Sequence, residues 1–124
     1  MHDRTAHSPA SRPLIVALCG SIRHWDALAE ANLYETVAGR IVLAPGCNLK
    51  QSHPLWEDPA RAVQLKQQLD DLHRRKIDLA DEVLIVNPGG YTGDSTCSEI
   101  DYAPSLGKPI RYTHSEDAGE DTRG

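Results

Sequence analysis

Short apolar runs alternate with amphipathic stretches along most of this chain. LIVALC at 14–19 is an unbroken apolar run ending at Gly20, the pattern of a strand buried on both faces. Trp25, Ala29, Leu33 and Val37 follow at i, i+4 spacing, with Asp26 as a possible N-cap and Gly39 where a C′ glycine belongs, which predicts a helix of about three turns. IVLA at 41–44 is a second strand. Asp58 then Pro59 marks a helix start, and Ala62, Leu65, Leu69, Leu72 and the stem of Lys76 keep one face to about Leu79. EVLIVN at 82–87 is the third strand. A helix is expected from about Thr96 to Leu106 with Gly107 at C′. Residues 109–112 give a last short strand, at the sheet edge because proline cannot donate to a ladder.

The order βαβαβαβ calls for an α/β fold, a parallel sheet of four to five strands with helices on both faces. Right-handed crossovers and the commonest doubly wound arrangement give strand order 2-1-3-4. The order reverses between the first and third strands, and ligands bind beyond the carboxyl ends of such strands. Two loops leave those ends, CGSIR at 19–23 and NPGGYTGDST at 87–96. A third loop, PGCNLKQSHPLWE at 45–57, is long enough to be functional.

Composition narrows the classes of function. With 124 residues, 40% hydrophobic and 25% charged, the chain is one ordinary domain, expected over 13–114 between a disordered polar arm (1–12) and a disordered acidic tail (115–124). The tail supplies −3 of the net charge of −5, and no basic stripe remains in the core, which argues against a nucleic-acid polymer as partner. No apolar run spans a membrane and the N-terminus has no signal-peptide core, so a cytoplasmic protein is expected. Cys19, Cys47 and Cys97 have no C-x-x-C spacing and the six histidines no H-x-x-x-H spacing, so neither a disulfide framework nor a metal or other cofactor is expected.

The candidate chemistry lies in the two loops. Gly20, Ser21, Ile22 and Arg23 read either as a tight turn with a solvated arginine or as a phosphate cradle, with Arg23 adding a charge-assisted bond. Gly89 and Gly90 read either as plain loop flexibility or as positions where a ligand approaches the backbone. Ser95 and Thr96 offer hydroxyls and amides at a helix N-terminus, a ready anion site. Glu99 carries two readings. Thr96-x-x-Glu99 is a capping box, which explains the residue without chemistry. Alternatively, Glu99 is a carboxylate at the crevice that attacks a sugar carbon or stabilises charge on it, with Asp94 as its partner acid.

LIVALCGSIR, KIDLADEVLIVN and STCSEIDYAPSLGKPI together resemble the nucleoside 2-deoxyribosyltransferase superfamily, which includes 2′-deoxynucleoside 5′-phosphate N-hydrolases. The resemblance covers about 14–112. It implies a small flavodoxin- or Rossmann-like three-layer domain that cleaves an N-glycosidic bond with Glu99 as nucleophile, holds a 5′-phosphate on the GSIR and serine-bearing loops, and works as a homodimer, here built partly on 58–79. Ala17 and His73 stand where that family carries a tyrosine and an aspartate. PGGY is similar to part of a motif of the cytokinin riboside phosphate phosphoribohydrolases, which release a base from a nucleoside monophosphate. The expectation is hydrolysis of a (deoxy)nucleoside 5′-monophosphate. A nucleoside deoxyribosyltransferase and a catalytically silent nucleotide-binding module are the alternatives.

Overall fold

The computed structural model describes residues 12–114, in which strands and helices alternate strictly: β1 (Ile15–Gly20), α1 (Trp25–Val37), β2 (Ile41–Leu43), α2 (Pro59–Leu79), β3 (Glu82–Val86), α3 (Asp94–Ser105) and β4 (Ile110–Tyr112). All strands are parallel, in the order β2-β1-β3-β4. Gly20 pairs with Val86, so β1 and β3 end flush and the loops after them leave side by side.

Alternation of side chains across β1 and β3 divides the core in two. Ala17, Cys19, Val83 and Ile85 face Ile77 of α2 and Ala103 of α3, while Val16, Leu18, Leu84 and Val86 face Leu28 and Ala31 of α1. The result is three layers, with one helix on one side and two on the other. Burying a residue such as Leu18 or Ile77 contributes about 1.5–3 kcal/mol. The start of α2 follows the sequence: Asp58 accepts from the Ala60 amide at 3.3 Å with Pro59 behind it. Gly39 and Gly107 take positive φ after α1 and α3, where an L side chain is strained.

Some local expectations fail: Leu72, expected on the inward face of α2, is exposed, and His73 and Ile77 are the buried residues of that helix. The stripe Trp25, Ala29, Leu33 and Val37 is not the inward face of α1, since Leu33 and Val37 are exposed and Leu28, Ala31 and Glu35 are buried. This helix is apolar around much of its circumference, so spacing alone allowed two stripes. Long-range pairing selects one: Glu35 is clamped by Arg111 at 2.7 Å, and Arg111 also holds Glu82 at 2.6 Å. Asp26 does not cap either. A 3-10 turn over Ile22–His24 runs straight into α1 and places Asp26 in its first turn.

Arg12 was assigned to the arm, yet its guanidinium holds Asp81 at 2.7 and 3.0 Å, and Asp81 also accepts from the Ile15 amide. The rest of the arm, 1–11, and the acidic tail, 115–124, lie outside the described residues. Among the described residues, no helix is long and apolar enough to cross a membrane.

Candidate functional site

The start of α3 bears on the capping-box reading of Glu99. A capping box needs Thr96 outside the helix, but α3 begins two residues earlier, at Asp94, with Gly93 as N-cap. The Cys97 amide bonds to the Gly93 carbonyl at 2.9 Å and closes the first turn there. Thr96 therefore lies inside that turn, buried at 1% exposure, and Glu99 a turn further on. The capping-box reading is overturned, and so is Thr96 as a hydroxyl presented to solvent. What the first turn does offer is the backbone amides of Asp94, Ser95 and Thr96, which precede the Cys97 amide, the first to donate within the helix.

Glu99 is buried between α2, α3 and the end of β1. Burial pushes its carboxyl up from the ordinary 4.5 to about 7, and the negative charge of Asp70 adds to this. A hydrogen bond from Cys19 and the charges of Arg74 and Lys66 act in the opposite direction. Cys19 is fully buried, and burial together with the Glu99 charge raises its thiol well above the usual range. On the other side of Cys19, its Sγ lies 3.4 Å from Nε2 of His73. Burial and the Lys76 charge lower His73 to about 4, against a hydrogen bond with the Leu18 backbone and the charge of Asp70, so its ring is neutral at pH 7. One ligand atom each from Cys19, His73 and Glu99 lie within 4.8 Å of one another.

A cavity of about 200 Å³ opens beside this cluster, lined by Asp70, Arg74, Asp94, Ser95, Ser98 and Glu99. Its walls are the facing sides of α2 and α3. Lys66 bridges Asp70 at 2.9 Å and the Ser95 hydroxyl at 3.3 Å, and Arg74 donates to the Ser98 hydroxyl at 2.7 Å. Of the residues singled out by sequence, the structure gathers Glu99, Asp94 and Ser95 around this cavity.

The other loop residues form a neighbouring cluster that does not line it. Ser21 lies against Gly93 at the start of α3, its Oγ 3.8 Å from where a Cβ on that glycine would stand. The Ser21 oxygen accepts from the Arg23 amide at 3.2 Å, which leaves its O–H free to donate outward. The Arg23 guanidinium stacks over the Tyr91 ring at 4.6 Å, and His24 meets the same ring edge-on. Ile22 forms part of the intervening turn. Gly89 and Gly90 both take positive φ, 65° and 81°, which only glycine adopts without strain. At Gly20 a Cβ would stand 2.8 Å from the Val86 carbonyl, so strand packing by itself requires glycine there.

Sequence reasoning missed Cys19, Lys66, Asp70, Arg74 and Ser98 as neighbours of Glu99. Lys66, Asp70 and Arg74 do recur at i, i+4, i+8, but that spacing reads as a solvated helix face until α3 packs against it. On sequence His73 reads as a polar-face residue of the long helix and as a departure from a family pattern, and neither reading joins it to Glu99. A hollow of about 500 Å³ in the 45–57 loop is lined by that loop alone, at 49–57, and holds none of the candidate residues. Comparison of the chain with family models, curated proteins and solved structures found no match.

Proposed function

We propose that this chain hydrolyses the N-glycosidic bond of a (deoxy)nucleoside 5′-monophosphate, with Glu99 as nucleophile. The observation that carries the reading is a buried glutamate, raised to about 7, on the wall of a small polar cavity beside the reversal point of a parallel sheet. In this account the 5′-phosphate rests on the first amides of α3 with the Ser21 and Ser95 hydroxyls, and Lys66 and Arg23 supply charge. Ionised Glu99 attacks C1′ as the C1′–N bond breaks, and the departing base takes a proton from Asp94 or a water it holds. Water then hydrolyses the glycosyl ester and frees Glu99. The chemistry uses no organic cofactor. Ala17 is fully buried and brings no hydroxyl to Glu99; the group that reaches it from β1 is Cys19. Pairing of two subunits through α2 belongs to the same proposal, supported by the exposure of Leu72 and Leu79 on one side of that helix.

A silent nucleotide-binding module is the second reading. It is favoured by the hydrogen bond between Glu99 and Cys19 and by Arg23 being stacked on Tyr91. Base release from a panel of ribo- and deoxyribonucleoside monophosphates and their nucleosides separates the two. The hydrolase reading expects release from a monophosphate at a rate at least tenfold above that from its nucleoside. Binding of a monophosphate without any release favours the silent module.

A further inference from the structure

We propose that Cys19, His73 and Glu99 form a site for a thiophilic divalent cation of the zinc class, and that an ion held there shuts off the chemistry of Glu99. The first half stands on geometry alone; the second rests on the glycosidase reading.

A thiolate, an imidazole and a carboxylate are the donor set that zinc takes, whereas calcium and magnesium require a shell of oxygens. Each donor stands on a different rigid element, Cys19 on β1, His73 on α2 and Glu99 on α3. Bonds of about 2.0–2.3 Å to a tetrahedral ion place neighbouring ligand atoms about 3.5 Å apart. The Cys19 Sγ to His73 Nε2 separation is already 3.4 Å, and the three donors span at most 4.8 Å, so a small inward shift completes the triangle. All three residues are buried, which keeps competing water away on three sides. Of the three donors only Glu99 lines the cavity of about 200 Å³, so the ion has three protein ligands and is reached from the Glu99 side. A neutral imidazole offers one ring nitrogen with a lone pair, and the His73 nitrogen that faces Cys19 is Nε2. Binding expels the Cys19 thiol proton and any proton on Glu99 to solvent, and nothing is oxidised or reduced. A carboxylate bound to the ion cannot attack C1′, so ion and reaction exclude each other.

The test is titration of the whole chain, prepared with chelator and then desalted, with Co²⁺ as the spectroscopic probe. One equivalent is expected to give a thiolate-to-cobalt band in the near ultraviolet and tetrahedral bands in the visible, both bleached by Zn²⁺. Cys19→Ser should abolish the near-ultraviolet band, and His73→Gln should weaken binding by about tenfold or more. Cys47→Ser and Cys97→Ser, which alter cysteines outside the cluster, should leave the spectrum intact. A folded wild-type chain with no thiolate band, or a band that survives Cys19→Ser, overturns the site. Zn²⁺ at the concentration that fills the site should stop base release, and His73→Gln should lose that sensitivity in whatever release it retains. Zinc-filled protein that turns over at the metal-free rate overturns the shut-off. Metal-free protein that releases no base removes the glycosidase reading and the shut-off with it, while the cobalt bands still decide the site.

Discussion

Glu99 keeps its proton to about pH 7 and His73 takes one only near pH 4, in both cases chiefly because burial disfavours the charged form. In the unfolded chain the ordinary values of 4.5 and 6.5 return. Between those two values the native pair holds one proton, on Glu99, and the unfolded pair also holds one, on His73. The pair therefore adds no slope to stability across that window. Each single variant unmasks the other residue. In Glu99→Gln only His73 remains, the unfolded state binds the extra proton, and stability falls as pH drops from about 6.5 to 4. In His73→Gln only Glu99 remains, the native state binds the extra proton, and stability falls as pH rises from about 4.5 to 7. Each change totals about 3 kcal/mol. Asp81, held down to about 2 mainly by Arg12, titrates below this range. Urea unfolding from pH 4 to 7.5 in the presence of chelator reads both slopes, and flat curves in both variants would contradict the burial described. At this scale the sequence disclosed Glu99 but not its neighbours. Cys19 and His73 lie 54 residues apart and meet only when α2 packs on β1.

At the scale of elements, the types and order of strands and helices were readable because each carries its own periodicity and punctuation. Asp58–Pro59 opens α2, and Gly39 and Gly107 close α1 and α3. What failed was the choice between two local alternatives. The apolar positions of α1 fit two stripes, and Thr96 and Gly93 compete for the start of α3. Contacts distant in sequence accompany both outcomes: the Glu35–Arg111 pair at α1, and Ser21 beside Gly93 at the start of α3. Gly20 shows the same dependence. Gly20→Ala drives a methyl into the Val86 carbonyl at 2.8 Å and towards Leu28 at 3.3 Å, forcing β1 and β3 apart where they end at the site. A loss of about 2 kcal/mol is expected from such overpacking. Gly46→Ala, where a Cβ meets nothing within 4 Å, is the neutral control. Equal midpoints for the two variants in denaturant would show that β1 and β3 do not pack as described.

For the molecule as a whole, the strand order 2-1-3-4 followed from alternation and crossover handedness, and it brings the ends of β1 and β3 together. The ion pairs that lock the layers left no local trace. Arg111 joins Glu35 of α1 to Glu82 of β3, and the two carboxylates are far more shielded than the arginine, with side-chain exposures of 11% and 13% against 40%. Arg111→Ala strands Glu82 and leaves Glu35 with Arg40 alone at 3.4 Å, and about 2 kcal/mol of stability should be lost after allowance for the half-exposed guanidinium. Chemical denaturation of Arg111→Ala beside Arg111→Lys checks this, and wild-type stability in the alanine variant would remove the network as a fastening between α1 and the sheet. The fold thus delivers one buried carboxylate to one polar cavity, and whether that carboxylate does chemistry is the central question. Glu99→Ala and the wild-type chain, kept free of metal, should be compared for base release from nucleoside monophosphates, with nucleotide binding measured in parallel. The account predicts release that falls by on the order of 10³-fold or more in Glu99→Ala while binding changes little. Release that persists in Glu99→Ala, or its absence from the wild-type chain, would contradict it.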